Sequence, residues 1–143
     1  MTEEKLVYTS NSEEETEKIG ALFAESLKKG DFIAFFGNLG SGKTAFVRGV
    51  ASVLCPDARV QSPTYAIVNE YRGKTPIFHF DVYRITDDDS LYSTGFYDYL
   101  EREGIIFTEW SENIMFALPE ERYDVTFEKT GDTGRVITVE KRN

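Results

Sequence analysis

The chain has 143 residues, the span of one domain, long enough to hide about 70% of the surface its unfolded form exposes. A lone cysteine, Cys55, excludes an intrachain disulfide scaffold, and no apolar run approaches the ~20 residues of a membrane span. A formal charge of −9 makes the chain a poor autonomous binder of nucleic acid, so any RNA work would need a basic partner.

With 41% hydrophobic and 14% aromatic residues, the composition is that of a folded protein. The opening Met1-Thr-Glu-Glu-Lys-Leu6 does not have the pattern of a signal peptide. The expectation is one soluble, cytoplasmic domain over 1–143 with no membrane contact.

In chain order, Lys5 to Tyr8 reads as a short strand. Ser12 and Glu15 then form a capping box, which opens a helix with Ile19, Leu22, Phe23 and Leu27 on its apolar side. Lys28, Lys29 and Gly30 supply basic and stop signals. The continuous apolar run Phe32 to Phe36 predicts a strand buried on both faces of a parallel sheet. A glycine loop follows, then a helix from Ala45 to Leu54, closed by Pro56. Further strands are predicted at Tyr65–Tyr71, Ile77–Val82, Gly104–Glu109, Tyr123–Glu128 and Val136–Lys141. Short helices are predicted around Phe96–Arg102 and after Ser111. The last two strands flank Thr130-Gly-Asp-Thr-Gly134 and read as a hairpin. The pattern predicts an α/β fold of the P-loop NTPase-like type, a mixed parallel and antiparallel sheet between helices.

The loop is the most specific signal. Gly37-Asn38-Leu39-Gly40-Ser41-Gly42-Lys43-Thr44 matches G-x-x-x-x-G-K-[ST], in which glycines let backbone N–H groups turn inward around phosphate oxygens. Lys43 would reach the β and γ phosphates and the Thr44 hydroxyl would hold Mg²⁺. The helix entered at Thr44 and Ala45 would aim its positive end at the anion.

Hydrolysis also needs acids to hold the metal and to position water. Asp81, in His79-Phe-Asp-Val-Tyr-Arg84, and Glu109, closing Ile105-Ile-Phe-Thr-Glu109, both end apolar strands on the side where α/β sheets bind ligands. Thr64 in Gln61-Ser-Pro-Thr64 either senses a γ phosphate or belongs to an ordinary turn. His79 orients Asp81 or packs. Arg84 pairs with a phosphate or with a carboxylate. Trp110 shields the site or joins the core.

These residues resemble the TsaE (YjeE) family of small bacterial P-loop ATPases, in the tRNA threonylcarbamoyladenosine pathway. The resemblance rests on the phosphate loop, Ser62-Pro-Thr-Tyr65, His79-Phe-Asp-Val-Tyr-Arg84 and Glu109-Trp110, in that order. It implies ATP and Mg²⁺ as cofactors, Thr44 and Glu109 as the metal ligands, and Asp81 and Lys43 as catalytic groups. It also implies adenine-side contacts near Glu13 and Gly131. The implied partners are TsaD and TsaB, which transfer a threonylcarbamoyl group to adenosine 37 of tRNAs reading codons that begin with A. The tRNA would be met only through that complex, whose cycle ATP turnover would reset. Asp87-Asp-Asp89 departs from the proline-and-glutamate pattern of some relatives.

Three other readings compete. A small-molecule kinase would need an arginine-rich lid, and none is evident. A GTPase would need N-K-x-D, which does not occur. A nucleotide-gated binding module would use ATP only to order a surface for a partner.

Overall fold

The computed structural model describes residues 4–37, 42–61 and 67–142. Asn38, Leu39, Gly40, Ser41 and the 62–66 stretch with Thr64 therefore lie outside the described residues. The elements, in chain order, are β1 (Glu4–Ser10), α1 (Glu13–Ala24), β2 (Phe32–Gly37), α2 (Lys43–Leu54), β3 (Val68–Tyr71) and β4 (Ile77–Asp81). These are followed by α3 (Asp88–Tyr92), α4 (Phe96–Tyr99), β5 (Ile105–Glu109), a 3₁₀ turn (Ser111–Ala117), β6 (Arg122–Lys129) and β7 (Arg135–Arg142).

The strands form one sheet in the order β1-β7-β6-β2-β5-β4-β3. β2 lies between β5 and β6, parallel to both, and β4 runs parallel to β5. β1, β3 and β7 are antiparallel to their neighbours. Mixed pairing of this kind fits the apolar runs, because the parallel centre must be covered on both faces.

Alternation along β2 divides the core. Ile33 and Phe35 join α1 and α2 on one face, whereas Phe32 and Ala34 join Leu91, Phe96 and Ile114 on the other. On the α1/α2 face, the Phe35 ring meets Phe46, Phe107 and Phe127 at centroid distances of 5.6, 5.3 and 5.1 Å. The two helices cross closely at glycines. A Cβ on Gly49 would fall 2.0 Å from the Glu17 carbonyl oxygen, and one on Gly20 would fall 2.2 Å from that of Phe46. This close crossing fixes where α2 begins relative to the sheet, and so positions the end of the glycine loop.

Several boundaries differ from the sequence reading. The helix expected to run to Lys28 and Lys29 ends at Ala24, and Leu22 on its expected apolar side is 59% exposed. The Lys28 N–H is instead taken by the Asp31 carboxylate at 2.9 Å in the turn before β2. The capping box is shifted by one residue on its return side. Ser12 Oγ accepts from the Glu15 N–H, but the Glu15 carboxylate accepts from Asn11 rather than from Ser12. Helix α3 was not expected. The acidic run Asp87–Asp89 turns out to be its start, with the Asp87 carboxylate accepting from the Ser90 N–H at 2.8 Å and two further acids in the first turn. The C-terminal hairpin forms as expected, with β6 and β7 paired from Arg122↔Arg142 to Lys129↔Arg135. Among the described residues, no helix is long and apolar enough to cross a membrane.

Candidate functional site

All four parallel strands end on one side of the sheet, where the chemistry-bearing residues collect. β2 ends in Gly37, whose φ of +129° and close approach to β6 both require glycine. A Cβ there would sit 2.4 Å from the Phe127 carbonyl oxygen. After the undescribed loop residues, Gly42 (φ +103°) leads into α2, so Lys43, Thr44 and Ala45 form its first turn. The strand–loop–helix frame the motif requires is therefore present.

Lys43 is 6% exposed, and its Nζ donates to the Gly37 carbonyl at 2.7 Å, tying the far end of the loop to its start. Burial lowers the Lys43 pKa, opposed by the negative charges of Glu109, Glu112 and Asp81. The ammonium lies 5.2 Å from the centroid of the Trp110 ring.

Asp81 and Glu109 are register partners on the adjacent strands β4 and β5. Side chains two residues apart share a face, and His79 and Phe107 are also partners. Glu109, Asp81 and His79 therefore all belong to the face covered by α2. Glu109 is 8% exposed, and its Oε2 lies 2.5 Å from His79 Nε2. Burial raises the Asp81 pKa, partly offset by a hydrogen bond from the Tyr83 N–H at 2.9 Å. Asn113 Nδ2 donates to the Val82 and Tyr83 carbonyls and braces the turn that carries Asp81.

His79 was expected to orient Asp81 or to pack. It does neither simply: it is fully buried, but its partner is Glu109, thirty residues on. Trp110 is half-buried at the margin of the core, beside the Lys43 ammonium. Its ring meets exposed Tyr83 at a tilt of 58° and a centroid distance of 4.8 Å and packs on the cluster around Phe80, and its backbone is left-handed at φ 62°. Trp110 is the one non-glycine residue with positive φ among those described, a strain that sequence carries no signal for. Arg84 is exposed and forms no ion pair with any described residue.

Glu13 opens α1 directly after β1, and Gly131 lies in the β6–β7 turn. Because β1 and β6 run in the same sense as β2, both positions lie at the same end of the sheet as Gly37. A Cβ on Gly131 would meet no atom within 4 Å. The start of α1 also approaches the loop, since a Cβ at Gly42 would lie 3.5 Å from Thr16 Cγ2.

A mixed sheet with helices on both faces, a glycine turn from central strand to helix, and acids ending the next two strands define the P-loop NTPase-like class of α/β fold. Within that class, residues 10–137 match the family described as threonylcarbamoyl adenosine biosynthesis protein TsaE, and the chain belongs to it. The tRNA threonylcarbamoyladenosine biosynthesis protein TsaE of Bacillus subtilis is 37% identical, an alignment covering 94% of this chain and 84% of that one. Its counterpart in Rickettsia conorii is 35% identical, covering 96% and 81%. The crystal structure of Bacillus subtilis YdiB superposes with a TM-score of 0.83 at 32% identity, covering 100% of this chain and 89% of that one.

Proposed function

We propose that the chain is the ATP-binding and ATP-hydrolysing subunit of the machinery that makes threonylcarbamoyladenosine in tRNA, working with TsaD and TsaB. The observation that carries this reading is the meeting of Lys43, Asp81 and Glu109, from three different elements, at the exit of the glycine turn.

The donor set suits a hard dication. Among the described residues, the Thr44 hydroxyl makes no hydrogen bond, and Glu109 Oε1 is likewise unheld while Oε2 is engaged. Thr44 and Glu109 would hold Mg²⁺, which would supply positive charge to offset that of the phosphates. The chain's own residues do the rest. Lys43, released from the Gly37 carbonyl, would pair with the terminal phosphates. Asp81, its backbone fixed by β4 and its Oδ1 by Tyr83, would orient the attacking water or accept its proton. The Trp110 ring lies beside the Lys43 ammonium, with the Tyr83 ring against the indole. The net charge of −9 agrees with a subunit that faces proteins and leaves tRNA contact to basic partners.

A nucleotide-gated binding module is the second reading, favoured by exposed Tyr83 lying directly on Trp110, beside Lys43. Reconstitution with TsaD, TsaB, threonylcarbamoyl-adenylate and tRNA over repeated turnovers separates the two. Lys43→Ala, Asp81→Ala and Glu109→Ala are each expected to lose sustained modification, by about 100-fold or more. Full multi-turnover yield with Asp81→Ala, alongside ATP-dependent complex formation, would instead establish the gated module. Normal yields from all three would reject both.

A further inference from the structure

His79 occupies the third position of β4, fully buried, and both ring nitrogens have partners. Nε2 meets Glu109 Oε2 at 2.5 Å and Nδ1 lies 3.3 Å from the Tyr71 hydroxyl. That hydroxyl also lies 2.8 Å from the Gln61 carbonyl, so its one proton serves either that oxygen or Nδ1, and it accepts from the Gln61 N–H at 3.3 Å. Asn69 Nδ2 donates to the same carbonyl at 3.0 Å. A continuous line of polar contacts thus runs from Gln61 through Tyr71 and His79 to the Glu109 carboxylate.

We propose that His79, braced by Tyr71, is the positioning residue that fixes the Glu109 carboxylate for a divalent cation. It engages Oε2 and leaves Oε1 as the oxygen free to bind; this rests on the reading of Glu109 as a metal ligand. An unheld glutamate would have to lose side-chain freedom each time the cation bound, whereas one already held in place has lost it on folding. A histidine present only to fill space would be replaceable by any apolar side chain of its size. Here the imidazole instead meets a carboxylate that is itself nearly buried, and the phenol behind it lies against both polar groups of Gln61. The second contact matters because an imidazole held at one nitrogen can tilt, while one held at both cannot.

The full chain provides its own reporter, since Trp110 is the only tryptophan and lies beside Lys43. Trp110 fluorescence is followed while Mg²⁺ is titrated into protein with ATP, and Mn²⁺ is titrated in parallel by electron paramagnetic resonance. His79→Gln places an amide donor near the Nε2 position and keeps the contact to Glu109. His79→Asn places it near Nδ1 and loses that contact. Tyr71→Phe removes only the brace. The expected result is a cation midpoint raised about 10- to 100-fold in His79→Asn, about 3-fold or less in His79→Gln, and by an intermediate factor in Tyr71→Phe. ATP affinity in EDTA, and KM for ATP at saturating Mg²⁺, should stay within about 2-fold of wild type in all three.

Equal midpoints in His79→Asn and His79→Gln would overturn the proposal. If His79→Asn does not fold, a wild-type midpoint in Tyr71→Phe would do so. Wild-type protein whose nucleotide binding ignores Mg²⁺ would overturn the metal reading itself, before any substitution is made.

Discussion

Two groups of buried charge lie at different places on the sheet, and they are built differently. Towards the start of β6, Asp124 is 6% exposed and saturated. Arg122 reaches it through Nε at 2.7 Å and through its second guanidinium nitrogen at 3.4 Å, and Arg142 of β7, the register partner of Arg122, donates to it as well. At the carboxyl ends of β4 and β5, Lys43, Asp81 and Glu109 are close enough to influence one another, yet the lysine is bonded to a backbone carbonyl and to neither acid. Burial there shifts Lys43 down and Asp81 up, each towards its neutral form. A charge whose partners are all supplied by the fold stabilises the fold. Charges held apart at a stability cost are poised for a ligand that supplies what is missing.

The sharpest way to break this contrast is to remove one charge from each group. Asp124→Ala leaves two arginines facing each other across β6 and β7 and should cost on the order of 2–4 kcal/mol of stability. Its nucleotide affinity should remain unchanged. Lys43→Met should do the reverse, abolishing nucleotide binding while altering stability by about 1 kcal/mol or less. Denaturant unfolding and nucleotide titration on both variants check this, and a large stability loss in Lys43→Met would place the lysine among the structural charges.

A smaller effect sharpens the comparison within the site. Because burial raises the Asp81 pKa, the fold favours the protonated acid. The cost of its charge is absent below the ordinary aspartate pKa, grows as pH rises through the raised folded value, and is complete above it. Asp81→Asn, which keeps an oxygen for the Tyr83 N–H, should therefore melt higher than wild type at pH 8. The gain should fade as the pH approaches 3.5, and turnover should fall about 100-fold. Melting curves across that range test the sign, since a gain that grew with acid would contradict it.

Much of this architecture was legible because the signals are local. The apolar run Phe32–Phe36, the glycines that follow and Lys43-Thr44 specify strand, turn and helix together, and the strand-end positions of Asp81 and Glu109 follow from counting along apolar segments. What escaped was non-local. The partner of His79 depends on β4 and β5 lying side by side, a choice of strand order that no window of sequence contains. The left-handed backbone of Trp110 is imposed by the tight exit from β5 into the 3₁₀ turn, against that residue's own preference. Helix α3 is five residues long, too short to display a period, and only the Asp87–Ser90 cap could have announced it.

A third kind of charge completes the comparison and carries the smallest expected effect. Glu70 of β3 pairs with Arg102 at 3.0 Å and accepts from the Tyr99 hydroxyl at 2.8 Å, with both charged side chains more than 40% exposed. The Tyr99 and Arg102 hydrogen bonds lower the Glu70 pKa. Their contribution is therefore complete above the ordinary glutamate value and is lost as pH falls through the lowered one. Water and salt already solvate this pair well, so Arg102→Ala should cost less stability than either buried substitution, part of it from lost contact with the Phe78 and Tyr99 rings. Raising the salt to 1 M should shrink the ionic part and leave the ring-contact part. A cost of Asp124→Ala that shrank by the same fraction would mean that the β6 group is open to solvent too, and the distinction between saturated and poised charge would then collapse into one of exposure.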